Sequence, residues 1–202
     1  MLLFRGSILL PMAALILAGS MVSGCATTAT QVEVTRFHLN QLIPRGAIRI
    51  TPADPAINDS LENKQYAAVI GQEIGAAGFR STDAASTEQL LLFSVTRHLR
   101  AAGAPRPPVT IGVGGGTGGG GFGVGVSTSF PIGTPKAREL VTYALNLRIR
   151  RAQDNAILWE GRATTEALMT TAAADPRTAI ARMTRAIFAD FPGESGKTIM
   201  VK

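Results

Sequence analysis

The chain has one cysteine, two histidines and only 5% aromatic residues, and it contains no Gly-x-Ser-x-Gly segment. A lone thiol excludes an internal disulfide framework, so the fold must rest on core packing. Two histidines without a second cysteine leave no ligand spacing of the kind that holds zinc. The missing elbow, and the lack of any Ser-His-acid set that stands out, remove the common serine-hydrolase patterns. With so few rings, the 46% hydrophobic share must build a core mainly from Ala, Val, Leu and Ile. Runs of like charge are also missing. The densest basic cluster is Arg148, Arg150 and Arg151, while the rest of the +6 net charge is scattered. Scatter of this kind argues against a nucleic-acid stripe and suits a surface near anionic head groups or polymers.

The N-terminus carries the strongest signal. One positive charge, Arg5, precedes an almost wholly apolar stretch at 7–18, the n-region and h-region of a signal peptide. The stretch is too short to span a membrane comfortably. Val22-Ser23-Gly24-Cys25 follows and resembles the lipobox of bacterial lipoproteins: an aliphatic residue, a small one, Gly or Ala, then the cysteine. The resemblance implies cleavage before Cys25 and attachment of diacylglycerol to its thiol as a thioether, which uses up the lone cysteine. Two or three acyl chains hold a protein firmly where one does so marginally. Ala26, where an aspartate retains Gram-negative lipoproteins in the inner membrane, implies the outer membrane, with the domain most naturally in the periplasm. Residues 1–24 are then the leader, 25–30 the lipidated cysteine and a polar tether of less than roughly 20 Å, and 31–202 one domain.

Within that domain, alternation at 31–38 and a short run at 47–51 read as strands, the second ended by Pro52 and Pro55. Asp59 with Glu62 reads as a capping box. Tyr66, Val69, Ile70, Ile74 and Ala77 mark a helical face that Gly78 stops. Residues 88–99 form a strand apolar on both faces at Leu90 to Phe93, which suits the interior of a sheet. Ten of the fourteen residues at 112–125 are glycine, and the tract reads as a flexible insertion. At 138–151 Val141, Tyr143, Leu145, Leu147 and Ile149 alternate with Thr142, Asn146, Arg148 and Arg150. A turn at Asp154-Asn155 leads to Ile157, Trp159, Gly161 and Ala163 on the same apolar face, an antiparallel hairpin. Asp175-Pro176 caps a second helix whose Ile180, Met183, Thr184, Ile187 and Phe188 recur at helical spacing until Pro192. The expected class is α+β, an antiparallel sheet with two helices packed on one face.

Leu158-Trp159-Glu160-Gly161-Arg162-Ala163, the capped helix after it and its Phe191-Pro192 end together resemble the domain-of-unknown-function 4136 family of bacterial lipoproteins, over about residues 34–193. The resemblance implies no activity and carries over no catalytic residue. Trp159, on the buried face of its strand, reads as a core aromatic.

Two motifs imitate nucleotide sites. Gly193-Glu194-Ser195-Gly196-Lys197-Thr198 looks like the end of a phosphate loop, yet Phe191 stands where its first glycine belongs and too few residues follow to make the helix that holds phosphate. Gly114, Gly116 and Gly119 satisfy GxGxxG inside a tract that would match by composition alone. No nucleotide, nucleic acid, metal or other cofactor is expected. Alternating Thr198, Ile199, Met200 and Val201 suit a short extended tail at a sheet edge. The leading expectation is a non-enzymatic envelope lipoprotein contacting the bilayer through acylated Cys25 and an envelope protein or cell-wall polymer through its domain, Arg148, Arg150 and Arg151 being candidates for an anionic partner. The alternative is a hydrolase or metal-dependent enzyme in which His38 and His98 meet an acidic group.

Overall fold

The computed structural model describes residues 30–103 and 138–202. The leader, Val22, Ser23, Gly24 and Cys25, and the glycine tract at 112–125 lie outside the described residues. Among the described residues the domain has seven strands and two α-helices: β1 (Val32–His38), β2 (Ala47–Pro52), α1 (Leu61–Glu73), β3 (Arg80–Ser81), β4 (Gln89–Ala101), β5 (Glu139–Arg151), β6 (Ile157–Leu168), α2 (Pro176–Phe188) and β7 (Thr198–Val201). The strands lie in the order β3-β2-β4-β5-β6-β1-β7.

The α+β class holds, but the sheet is mixed where an antiparallel one was expected. β4, β5, β6, β1 and β7 pair antiparallel, whereas β2 pairs parallel with both β4 and β3. Parallel neighbours need a crossover of a dozen or more residues. The segment between Pro52 and Gln89 supplies it, with α1 inside, so β2 joins β4 rather than its sequence neighbour β1.

One face of the sheet is the core. Val32 and Val34 of β1, Leu91 and Phe93 of β4, Tyr143, Leu145, Leu147 and Ile149 of β5, and Trp159 and Ala163 of β6 are buried on it. Ile180, Met183 and Ile187 of α2 and Val69 and Ile70 of α1 close over them. The Tyr143 hydroxyl spans the layers by donating to the carbonyl of Ala174 at 2.9 Å. Arg185 grips Glu73 across the helix pair with two hydrogen bonds of 3.0 and 2.9 Å.

Three local expectations change. The capping box at Asp59 does not form, because α1 starts one residue later, with Ser60 at its N-cap and no side-chain cap. Glu62 thereby falls a position short of the box, and its Oε1 accepts instead from the Tyr66 hydroxyl at 2.5 Å. In the hairpin, Ile149 pairs with Trp159 but Arg150 pairs with Ile157, leaving Leu158 as the extra residue of a bulge. The bulge turns Ile157 out of the apolar face, and its side chain is half exposed. Finally, the polar side of β5 is not solvated as the alternation implied, for Thr142 and Asn146 are 2% and 3% exposed.

Asp175 performs as the sequence indicates. Its Oδ1 accepts from the Thr178 amide and hydroxyl, both at 2.9 Å, with Pro176 at the first helical position. These bonds, the amide first, hold its carboxyl below the usual carboxylate range. The folded value being the lower one, the stabilisation is complete above the unfolded value of about 3.9 and is lost as pH falls through the folded value. Asp175→Ala should therefore cost about 1 kcal/mol in urea unfolding at neutral pH. The gap between the two proteins should narrow in the same measurement on acidification below the unfolded value.

Candidate functional site

The residues that carry the sequence motif turn out to build a clamp. Arg36 of β1 is 4% exposed, on the helix face, beneath the C-terminus of α2. Its Nε donates to the carbonyl of Ile187 and its Nη2 to those of Ala186 and Ala189, each at 2.8 Å. A helix ends with carbonyls that lack partners and with a partial negative charge, and a guanidinium answers both needs. Burial lowers the guanidinium's pKa, against the raising influence of Asp190. The chain then turns at Asp190, φ +54, and Trp159 Nε1 donates to the Pro192 carbonyl at 3.0 Å. The Trp159 ring stacks on Phe188 and packs against Phe191, at centroid distances of 5.3 and 5.2 Å.

Both glycines of the clamp are there for space. A Cβ at Gly161 would lie 2.4 Å from Trp159 Cη2 and 2.5 Å from Ile187 Cγ2, so the Trp-x-Gly pattern lets an indole lie flat along its own strand. Gly193 has φ +78, and a Cβ there would lie 2.5 Å from Arg36 Cδ. His38 closes the assembly: its Nδ1 accepts from the Asn40 amide at 3.2 Å, so Nε2 carries the proton and donates to the Gly193 carbonyl at 2.9 Å. Trp159 is a core aromatic, as expected.

The motif resembling a phosphate loop belongs to the same clamp. Ser195 Oγ contacts the amide and carbonyl of His38 at 3.0 and 2.9 Å, and the Gly196 amide donates to the Arg36 carbonyl at 2.7 Å. Lys197 Nζ pairs with Glu194 at 2.7 Å. Where a phosphate loop needs a helix after Thr198, strand β7 begins and pairs antiparallel with β1, which is the edge tail the alternation predicted.

The two histidines do not converge. His38 is at the C-terminal end of β1 opposite Trp159, while His98 is opposite Thr142 towards the other end of the sheet. His38 serves the helix face and His98 lies on the polar face, so they and a shared carboxylate form no constellation.

The polar face is where side chains of unspent chemistry gather. Cross-strand pairing aligns Arg49, Leu90, Arg150 and Ile157 in one row, Thr51, Leu92, Arg148 and Glu160 in the next, and Ser94, Asn146 and Arg162 in a third. Arg148 and Arg162 share Glu160, at 3.4 and 2.5 Å, and Arg162 lies over the Phe37 ring at 5.3 Å. Towards the other end Arg100 pairs with Glu166. Arg150 Nε and Asn146 Oδ1 are buried without a hydrogen-bond partner. The cluster differs from the sequence expectation. Arg151 points to the helix side and pairs with Asp154 at 2.8 Å, while Arg49 and Arg162 join from other strands. Strand alternation separates Arg151 from Arg150, and the turn at Asp154-Asn155 signals β6 as one neighbour of β5, but nothing local signals that β4 and β2 follow on its other side. A small cleft of about 280 Å³ also opens beside Pro44, Thr82, Thr87 and Gln89.

The domain is thus a two-layer α+β unit with a mixed sheet, closed by an arginine clamp on one face and polar on the other. It belongs to the family described as a domain of unknown function, DUF4136, whose model matches residues 32–193, from the first residue of β1 to the glycine of the clamp. An uncharacterized protein of Zymomonas mobilis is 35% identical over 216 aligned residues, covering 86% of this chain and 82% of the relative. Among solved structures, a PelC dodecamer from Paraburkholderia phytofirmans matches with TM-score 0.40 at 11% identity, over 76% of this chain and 95% of that one. A PDZ domain protein from Parabacteroides distasonis matches with TM-score 0.43 at 14% identity, over 85% and 39%.

Two substitutions test the clamp. Gly161→Ala should destabilise the protein by about 2 kcal/mol through overpacking against Trp159 and Ile187, seen as a lower melting temperature. Arg36→Met, which keeps the aliphatic stem but strands three carbonyls, should cost about 3 kcal/mol in denaturant unfolding. A change within error in either experiment contradicts the clamp's structural role.

Proposed function

We propose that this chain is an exported envelope lipoprotein, cleaved before Cys25, acylated at that thiol and held in the outer membrane, whose domain acts in the periplasm as a non-enzymatic binding module. The leader pattern supports the first half of the reading. The single observation that carries the second half is the polar sheet face, where Arg49, Arg148, Arg150 and Arg162 share one carboxylate, Glu160, within their rows. Such unspent groups are what a binding surface presents, and a packed core does not explain them.

The geometry suits a tethered module. The described chain enters the fold at Gln31, whose carbonyl accepts from Thr165 Oγ1 at 2.9 Å, and continues directly into β1. Arg150 pairs at the far end of the sheet, since Val32 faces Thr165, Thr165 faces Tyr143, and Arg150 is seven residues further along β5. Arg150 therefore stands roughly 20 Å along the sheet from the end at which the chain enters it. No helix among the described residues is long and apolar enough to cross a membrane.

Cys25→Ser tests it. The variant should lose metabolic labelling with palmitate and keep its leader, and the protein should leave the outer-membrane fraction. Recovery of a cleaved, labelled protein from the Cys25→Ser strain overturns the proposal.

A further inference from the structure

We infer that the arginine face formed by Arg49, Arg148, Arg150 and Arg162 binds an acidic polysaccharide. The inference rests on the binding-module reading above and names its ligand class. Four guanidinium groups stand in adjacent cross-strand rows with one carboxylate, Glu160, which already serves two of them. Arg49 and Arg150 form no ion pair or hydrogen bond among the described residues, and Arg150 Nε is buried. A partly buried cation without a partner is costly, and an arriving anion relieves that cost. Arginine also presents a planar fork that takes a carboxylate with two parallel hydrogen bonds.

The rest of the face selects among anions. Asn146 Oδ1 is buried without a partner, with Ser94 opposite it, so an amide and a hydroxyl stand beside the guanidinium groups. Those groups match sugar hydroxyls, which both donate and accept. Single-stranded nucleic acid binds best where bases can stack on exposed rings, but Phe37, the one aromatic in these rows, already has Arg162 over it. An extended peptide gains main-chain hydrogen bonds by adding a strand to a sheet edge, where backbone groups are free. β4, β5 and β6 are interior strands whose backbone is paired on both sides.

The test uses the full-length protein purified in non-ionic detergent, with polygalacturonate as the probe and neutral dextran as its control. Saturable binding to polygalacturonate that weakens as salt is raised is expected, with no binding to dextran. Arg49→Gln/Arg150→Gln should weaken it by about tenfold or more, because two charge-assisted contacts are lost. Arg151→Gln, on the other face, should leave it unchanged. Absence of saturable binding, equal binding to dextran, or full affinity in the double variant overturns the inference. So does tighter binding to polyphosphate, polyglutamate or single-stranded DNA at equal charge concentration. If the double variant fails to fold, the salt series on the unaltered protein decides, since salt-independent affinity also overturns it. The anchor is read separately by the Cys25 experiment: a lipidated protein that binds no polysaccharide sinks only this inference, and an unlipidated one that binds sinks only the anchor.

Discussion

Arg36 holds the two layers of this domain in register. Its backbone is part of β1, between β6 and β7, while its guanidinium takes three carbonyls at the end of α2. A helix terminus buried against a sheet would otherwise leave those acceptors without water or partner, at a cost comparable to several lost hydrogen bonds. The same residue dictates its surroundings. Gly193 must lack a side chain because the Arg36 stem fills that space, and Gly161, its cross-strand partner, must lack one because Trp159 and Ile187 meet there. Helix end, aromatic cluster and chain reversal form one unit.

That unit accounts for the sequence features on which the resemblance to the family rests. Trp159, Gly161 and the Phe191-Pro192-Gly193 end lie far apart along the chain but converge on the Arg36 guanidinium and the indole beside it. Their chemistry is spent on one another. A search for function among them would find a tryptophan whose N–H is engaged, a histidine fixed as one tautomer by backbone groups, and a lysine paired with its neighbour. On the opposite side of the sheet, the rows of Arg49, Arg150 and Asn146 hold groups with capacity left over.

The mixed pairing of the sheet explains how that face is assembled. Because the crossover through α1 carries β2 to the side of β4, Arg49 arrives two strands from Arg150 with Leu90 between them. The bulge at Leu158 then sets Ile157, rather than Leu158, opposite Arg150. Neither event is local. A charged row spanning β2, β4, β5 and β6 exists only because two pairings of different sense fall into the same register.

The sequence by itself determined the elements whose cause is local. Strand alternation in β1 and β5, the Asp175-Pro176 cap, the helical face of α2 and the left-handed Gly78 that ends the turn after α1 all rest on contacts within a few residues. The edge strand after Gly196 was legible for the same reason. What only the tertiary structure decided is which strands become neighbours beyond the β5–β6 hairpin and which side chains meet across them. Alternation states that Arg148 and Arg150 share a side of β5, but it is silent on Arg49 and Arg162, and the capping pattern at Asp59 lost by one residue to the helix start set at Ser60. Pairing partners are chosen by burial of the whole apolar face and by the length of the crossover, quantities that no short window of residues contains.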